Sequence, residues 1–169
     1  TIWNADHRYE SSYLKSFSGY YETGDAGYKD DDDYLYIMAR TDDVMNVAGH
    51  RLSSGQMEEV LASHPDIAEC AVIGAADALK GQLPIGIMCT NVDTEKSNEE
   101  IINECIKLVR TKIGPVAAFK IAIIVDRLPK TRSGKILRGT IVKIADGNPY
   151  KAPATIDDPK ILEEITLAL

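Results

Sequence analysis

A short basic segment between Leu128 and Arg138 holds the residues best suited to chemistry in this sequence. It carries four cationic side chains and the run Ser133-Gly134-Lys135, although the chain as a whole has a net charge of −7. Because the segment has few apolar anchors, we expect it to be exposed and mobile. A lysine beside a glycine in such a segment can bring a positive charge to a phosphate or carboxylate at one stage of a reaction and withdraw it at the next.

Other interpretations of this segment are a solvated surface, a phosphate-binding P-loop and a nucleic-acid contact. The P-loop pattern requires a glycine where Pro129 stands and a serine or threonine where Ile136 stands. A nucleic-acid surface needs a broad positive footprint, whereas the chain has 26 acidic and 19 basic residues. We therefore expect no P-loop and no nucleic-acid partner, and the solvated surface stays open as an alternative.

The composition fits one globular domain with extensions. The chain has 169 residues, of which 44% are hydrophobic, so that it can bury a sizeable core. No apolar run approaches the ~18 residues of a membrane span, and no signal-peptide pattern lies near Thr1. The lack of a long apolar run predicts no membrane partner. Since the sequence starts without methionine, we also expect it to be a piece of a longer protein.

The three cysteines are expected to be reduced core residues. Cys70, Cys89 and Cys105 are widely spaced in apolar contexts, and no Cys-x-x-Cys pair is present. Their odd number and their context indicate a reducing compartment. We therefore expect an intracellular protein, located in the cytoplasm or the mitochondrial matrix. With only three histidines, a zinc site is not expected.

Two groups of elements must position the basic segment. Residues 1–41 are predicted to contain a helix at 6–18 and a β-hairpin whose acidic turn at 29–33 is a solvated tip rather than a cation site. The remainder is predicted to be α/β (α+β): a small mixed sheet of about three strands with flanking helices.

Apolar runs predict three strands, which we expect to be separated by helical segments, at 68–74, 85–91 and 119–125. The run at 119–125 is nearly continuous and is expected to be buried on both faces. Capping patterns and apolar stripes predict helices from Ser53 to His64, from Ser97 to Gly114, from Ile136 to Ala145 and after Pro159.

Four polar motifs follow one another along the chain. They are Tyr21-x-Thr23-Gly24-Asp25, Arg40-x-Asp42-Asp43, Gly49-His50-Arg51 and Leu128-Pro129-Lys130-Thr131-x-Ser133-Gly134-Lys135. This series resembles the adenylate-forming (AMP-forming) acyl-CoA synthetases. The run from Arg40 to Leu52 is similar to their short-chain branch, the acetyl- and propionyl-CoA synthetases.

The resemblance implies a domain organisation and a reaction. Residues 1–41 would be the C-terminal edge of the large N-terminal adenylation domain, 42–150 the mobile C-terminal lid domain, and 151–169 a C-terminal tail and helix. The complete acid–thiol ligase would use ATP and Mg²⁺ to activate acetate or propionate to acyl-AMP, and would then transfer the acyl group to CoA. The large domain of the same chain would be the partner of the lid, which alone would be inactive.

The resemblance assigns ATP and AMP contacts to Asp25, Arg40 and Arg51. The Asp25 carboxylate would accept both ribose hydroxyls, Arg40 would make a second ribose or phosphate contact, and the planar guanidinium of Arg51 would hold two phosphate oxygens. Without the resemblance, Asp25 would only finish a Gly-Asp turn, and Arg40 would form a surface ion pair with Asp42 or Asp43.

Further roles come from the same resemblance. Asp42 aligns with the hinge about which the lid rotates between the two half-reactions. Ala48 and Gly49 would line the narrow pantetheine channel of CoA, where bulky side chains are excluded. Arg110 would contact the CoA phosphates. An ordinary strand turn at Ala48-Gly49 and a cation that complements the helix dipole at Arg110 stay open as alternatives.

Lys135 is the expected catalytic residue. It would neutralise the charge that develops on the carboxylate and the α-phosphate during adenylation. The resemblance also implies that acetylation silences this lysine by removing its charge, so that a lysine acetyltransferase or deacetylase would be a partner.

A metal site is implied near the end of the first long helix. In acetyl-CoA synthetases the segment that matches Ala62, His64 and Ile67 is associated with magnesium, bound through backbone oxygens. Imidazole is a poor ligand for magnesium, and the alternative is a helix-end histidine.

Two other functions stay open. The chain could be a binding or regulatory module that contacts nucleotide or CoA without turnover, or the lid of another adenylate-forming ligase. The Gly49-His50-Arg51 motif argues against the latter.

Overall fold

The fold is given by a computed structural model that describes the backbone of residues 1–169 and the side chains of all but Met38, Ala39 and Asp42. The chain divides into two compact units, Thr1–Asp42 and Asp43–Leu169. The side chain of Asp42, the expected hinge, lies outside the described residues.

The first unit contains one helix and one hairpin, as predicted, although the helix ends at Tyr13 and not at Ser18. Helix α1 is Asp6–Tyr13, and strands β1 (Asp25–Lys29) and β2 (Leu35–Arg40) pair antiparallel. The acidic turn is an exposed tip held by the Asp30 carboxylate, which accepts the amides of Asp32 at 3.1 Å and Tyr34 at 2.9 Å. None of the described side chains in this unit is buried.

The second unit is built on a five-stranded sheet. Its strands are β3 Val44–Val47, β4 His50–Ser53, β5 Ile67–Asp77, β6 Gly81–Thr90 and β7 Ile121–Ile124. The order is β4-β3-β6-β5, and β7 also pairs with β6, in the parallel direction. All three predicted strands are present, and the short strands β3 and β4 extend the sheet.

The predicted helical separation of β5 and β6 is wrong, because these strands form a direct antiparallel hairpin. The Asp77 carboxylate accepts the amides of Leu79 at 3.0 Å and Lys80 at 2.7 Å, and Gly81 takes a φ of 77°. A side chain that captures nearby amides in this way closes a tight turn.

Four helices cover this sheet. They are α2 Ser54–Ala62, α3 Asn98–Lys112, α4 Arg138–Ala145 and α5 Ile161–Ala168. The predicted caps are confirmed for α2, where the Ser53 hydroxyl accepts the Gln56 amide, and for α3, where Ser97 and Glu100 form a complete capping box. Helix α4 begins two residues later than predicted, at Arg138.

Two apolar cores lie in this unit, on opposite faces of the sheet. Along β5, Val72 belongs to the core with α2 and α3, whereas Ala71 and Ile73 belong to the core with α4 and α5. Strands β5 and β6 are therefore buried on both faces. The same prediction for 119–125 is wrong in part, because β7 pairs only with β6 and leaves Ile121 44% exposed.

The cysteines lie where the sequence predicted. Cys89 and Cys105 are buried, Cys70 is half-buried, and all three are free thiols. Within the described part of the chain, no helix has both the length and the apolar character that a membrane span requires.

Candidate functional site

The basic segment forms a small hairpin between β7 and α4, which we call the lysine hairpin (residues 130–136). Lys130 and Ile136 pair as an antiparallel bridge. The Thr131 amide donates to the Lys135 carbonyl at 2.8 Å, and the Leu137 amide donates to the Pro129 carbonyl at 2.9 Å. The expected lack of apolar anchors is wrong for the base of this hairpin, since Leu128 and Pro129 are buried.

The tip of the lysine hairpin is a hydrogen-bonded turn. The Gly134 amide donates to the Thr131 carbonyl at 2.8 Å, and the Lys135 amide donates to the Thr131 hydroxyl oxygen at 3.1 Å. Gly134 adopts a φ of 84°, which favours glycine. This turn leaves Ser133, Gly134 and Lys135 exposed on an ordered base.

The C-terminal segment backs the lysine hairpin. Thr131 pairs with Ile156 as a second antiparallel bridge, and the Arg132 amide donates to the Thr155 carbonyl at 2.9 Å. The Asp157 amide donates to the Lys130 carbonyl, also at 2.9 Å. The segment 155–157 therefore pairs with the lysine hairpin through its backbone.

The cations around this hairpin differ in their partners. Lys130 Nζ lies 2.5 Å from a Glu69 oxygen, and Arg138 Nη2 lies 2.8 Å from a Glu58 oxygen. Lys135, in contrast, has no ion-pair partner among the residues whose side chains the structure describes. Its ammonium group is thus available to an added anion.

The expected CoA residues Ala48 and Gly49 form the two-residue turn between β3 and β4. Their φ angles are 51° and 85°, the left-handed pair of a tight hairpin turn. The Ala48 amide donates to the Lys80 carbonyl at 2.8 Å. A side chain added at Gly49 would meet nothing within 4 Å in this chain, so the turn presents an open surface. Arg51 follows on β4 and is exposed.

Arg110 lines a cleft with two further cations. The cavity of about 310 Å³ is bounded by Lys80, Ile106, Arg110, Gly114, Pro115, Ala118, Phe119 and Lys120. No carboxylate lies among these residues, so the cleft favours an anion. The Lys80 carbonyl also accepts the Ala48 amide, so the cleft adjoins the Ala48-Gly49 turn. The three expected CoA residues therefore lie in one region. The sequence did not reveal Lys80 and Lys120, because each is far from Arg110 along the chain.

In the first unit, Asp25 and Arg40 face each other across the β1–β2 ladder. Arg40 Nη1 donates to the Thr23 carbonyl at 2.8 Å and to an Asp25 carboxylate oxygen at 3.5 Å. A Cβ added at Gly24 would come within 2.6 Å of the Arg40 guanidinium, so only glycine fits there without displacing it. Two of the three residues expected to contact nucleotide are therefore held together.

His64 is a buried helix-end residue within a polar network. Its ring Nε2 lies 2.9 Å from a Glu104 oxygen, and its Nδ1 accepts the Asp66 amide at 3.2 Å. The His64 carbonyl accepts the Ile67 amide at 3.1 Å. Both ring nitrogens of His64, one of the expected metal residues, thus already contact protein groups.

The same network offers carboxylates to a cation, and the side chain of Lys96 already supplies a cation there. His64, Asp66 and Glu104 place ligand atoms within 4.8 Å of one another. However, the Lys96 ammonium lies 2.6 Å from Glu104 and 3.3 Å from Asp66. A hydrogen bond from Lys96 lowers the pKa of Glu104, and hydrogen bonds from Thr94 and then Lys96 lower the pKa of Asp66. These side chains therefore do not fit a bound magnesium ion.

Comparison with known proteins identifies the class of this domain. Residues 56–135 match the family described as the AMP-binding enzyme C-terminal domain. Among solved structures, the anthranilate CoA ligase AuaEII in complex with anthranoyl-AMP is similar, with a TM-score of 0.62 and 31% identity, over 73% of this chain and 24% of that chain.

Curated relatives place the chain within one branch. It is 48% identical over 164 residues to the mitochondrial acyl-CoA synthetase short-chain family member 3 of Mus musculus, covering 97% of this chain and 24% of the relative. It is 42% identical over 167 residues to the acetyl-coenzyme A synthetase of Emericella nidulans, covering 98% and 25%.

The chain therefore carries an AMP-binding enzyme C-terminal domain, and nearly its whole length is similar to short-chain acyl-CoA and acetyl-CoA synthetases. It spans about a quarter of the length of the curated relatives it matches. The family and the short-chain branch predicted from the four motifs are confirmed, as is the α/β fold class.

Proposed function

We propose that this chain is the lid-bearing part of an enzyme that joins acetate or propionate to CoA at the expense of ATP. Carboxylate and ATP first give acyl-AMP and pyrophosphate, and the CoA thiol then displaces AMP to form the thioester. The observation that carries the proposal is the exposed Lys135, which lacks an ion-pair partner among the described side chains and lies at the end of the matched domain.

Lys135 is the catalytic residue of this proposal. Its ammonium group neutralises the negative charge shared by the attacking carboxylate and the α-phosphate in the adenylation transition state. The hydrogen-bonded turn at Gly134 supports the role, because it presents the lysine on an ordered base. Fixing a charge before the reaction lowers the cost of reorganisation in the transition state.

Nucleotide binding is assigned to Asp25, Arg40 and Arg51, with Mg²⁺ arriving bound to ATP. The Arg40–Asp25 contact supports this assignment, since it orients the carboxylate that would accept the ribose hydroxyls. The expected magnesium site at Ala62, His64 and Ile67 would use backbone oxygens. No catalytic step is assigned to a metal there, because Lys96 neutralises the nearby carboxylates.

CoA binding is assigned to the Ala48-Gly49 turn and to the Arg110 cleft. The turn exposes small residues to the pantetheine arm, and Arg110, Lys80 and Lys120 supply three positive charges for the phosphates of CoA. The absence of a carboxylate from the cleft lining supports an anionic ligand.

The domain assignment is part of the proposal. Residues 1–41 form the edge of the large adenylation domain, 42–150 the lid with Asp42 as hinge, and 151–169 the tail. The lack of buried side chains in the described part of 1–42 supports an edge that packs on something larger. An intracellular site, in the cytoplasm or the mitochondrial matrix, is supported by the three free cysteines.

Lys135 is also proposed as a target of a lysine acetyltransferase and a deacetylase. Its exposure at a hairpin tip supports access by such enzymes, and acetylation removes the charge on which adenylation depends.

The test is an assay of the complete protein with ATP and CoA, together with acetate or propionate. We expect thioester and AMP in stoichiometric amounts, and no thioester from the isolated chain. Binding of CoA or nucleotide without turnover of the complete protein would instead support a binding module. Adenylate formation without transfer to CoA would support another adenylate-forming ligase.

A further inference from the structure

We propose that Glu58 and Glu69 are positioning residues that fix the lysine hairpin from both of its ends. This inference rests on the proposed role of Lys135. Neither glutamate is assigned to a substrate, and both act through cations at the base of the hairpin, Arg138 and Lys130.

The Glu58–Arg138 pair holds the C-terminal end of the lysine hairpin. Two of the three guanidinium nitrogens are used: Nε and Nη2 of Arg138 donate to Glu58 Oε1 at 3.1 and 2.9 Å, and Nη2 donates to Oε2 at 2.8 Å. Glu58 also accepts the Val72 amide at 2.8 Å. Since the Glu58 side chain is only 17% exposed, this one carboxylate joins α2, β5 and the first residue of α4 away from bulk water.

The Lys130–Glu69 pair holds the N-terminal end. Lys130 Nζ lies 2.5 Å from Glu69 on β5, and the Lys130 side chain is 30% exposed. Lys130 also pairs with Ile136 through its backbone. A shift of Lys130 would therefore move both strands of the lysine hairpin.

Apolar packing at Leu128 and Pro129 does not fill all of the space between α2 and the lysine hairpin. A cavity of about 500 Å³ separates α2 from it, lined by Gly55, Glu58, Glu59, Ala62, Glu69, Cys70, Leu128, Lys130, Gly134 and Ile136. Glu58, Glu69 and Lys130, three members of the two charged pairs, line this opening. The position of Lys135 then depends on Glu58 and Glu69. A shift of about 1 Å in a catalytic group can lower the reaction rate about 100-fold.

The test uses the complete protein and measures two rates: acyl-adenylate formation in a single turnover, and thioester formation from supplied acyl-adenylate. We expect Glu58→Gln and Glu69→Gln each to slow adenylate formation by about 10- to 100-fold. Thioester formation should stay within about twofold, because Lys135 does not act in that step. Glu58→Gln keeps the oxygen that accepts the Val72 amide, which limits damage to the fold.

Partner variants separate positioning from direct contact with substrate. Lys130→Gln should match Glu69→Gln, the double variant should be no slower than either, and Lys130→Arg should restore adenylate formation. Arg127→Gln is the matched control, because it breaks ion pairs with Asp158 and Glu164 that lie outside the lysine hairpin. We expect it to leave both rates unchanged.

Three results would overturn the inference. They are normal adenylate formation in both glutamate variants, an equal fall of both rates, and slow adenylate formation in Lys130→Gln together with normal adenylate formation in Glu69→Gln.

Lys135→Ala in the same assay identifies which proposal fails. If it abolishes adenylate formation while the glutamate variants are normal, only the positioning role is lost. If it leaves adenylate formation intact, the catalytic assignment itself is lost.

Discussion

At the scale of single residues, the cations of the second unit fall into two groups. Lys130 and Arg138 are paired with carboxylates, whereas Lys135 and Arg110 have no ion-pair partner among the described side chains. A paired cation is part of the scaffold, because breaking it would leave an uncompensated charge. Lys135 and Arg110 are also residues that the resemblance assigned to substrates.

Lys80 and Lys120 provide a test of the CoA cleft. We expect Lys80→Gln and Lys120→Gln each to raise the KM for CoA by about three- to tenfold, since a charged contact at a partly exposed site contributes about 1 kcal/mol. The rate of adenylate formation should not change. Steady-state kinetics of the complete protein at varied CoA concentration would measure this effect.

Lys112→Gln is the matched control for these variants, since Lys112 is an exposed cation at the end of α3 that does not line the cleft. A KM for CoA that is unchanged in both cleft variants, or raised equally by the control, would contradict the assignment.

The cysteines give a second prediction at this scale. Burial raises the pKa of the Cys70 thiol from 9.0 to about 11, with a smaller contribution from Glu58. At pH 8 we therefore expect alkylation of native Cys70 to be slower than in the unfolded chain by at least about 100-fold. Because the folded pKa is raised, the thiol stabilises the fold fully below pH 9, and this contribution is lost as the pH rises through about 11.

Mass spectrometry after timed alkylation, with and without urea, would measure the two rates. Equal alkylation rates for Cys70 in the native and the unfolded protein would contradict both the burial of the thiol and its raised pKa.

At the scale of elements, the sequence predicted what local interactions decide. The capping box of Ser97 and Glu100 and the stripe of α3 lie within neighbouring turns, so their pattern is visible along the chain. The β5–β6 hairpin was missed because its turn depends on the Asp77 carboxylate rather than on a glycine pair. The sequence does not reveal the support of the lysine hairpin, because its partners, Glu69 and Ile156, are distant along the chain.

The β3–β4 turn gives a prediction for an element. Ala48 holds a φ of 51°, which strains a residue with a side chain. We expect Ala48→Gly to raise the free energy of unfolding by about 0.5–1 kcal/mol and Ala48→Val to lower it by about 1–3 kcal/mol. Urea unfolding monitored by circular dichroism would measure both changes.

Ala154→Gly is the matched control, because Ala154 is exposed and does not adopt a positive φ. Glycine there should lower the free energy of unfolding, through the greater freedom it gives the unfolded chain. A loss of stability in Ala48→Gly equal to that of the control would contradict the turn geometry.

At the scale of the whole molecule, the two units differ in what holds them together. The second unit contains both apolar cores, whereas no described side chain of Thr1–Asp42 is buried. We therefore expect residues 43–169 to fold alone with a cooperative thermal transition, and residues 1–42 to remain unfolded in isolation. Circular dichroism melts of the two pieces would measure this difference.

A cooperative transition of the isolated 1–42 piece would contradict this expectation, as would a lack of one in 43–169.

The four motifs revealed the family from the sequence, since each is a short run of fixed spacing. Distant groupings, such as Lys80, Arg110 and Lys120, required the folded chain.

The most direct test of the account is Lys135→Ala in the complete protein, with the two half-reactions measured separately. We expect adenylate formation to fall by about 100- to 1000-fold, the usual cost of removing a group that stabilises charge in a transition state. Thioester formation from supplied acyl-adenylate should keep the rate of the unmodified protein. Adenylate formation at an unchanged rate would contradict the central claim that the charge of Lys135 serves activation of the carboxylate.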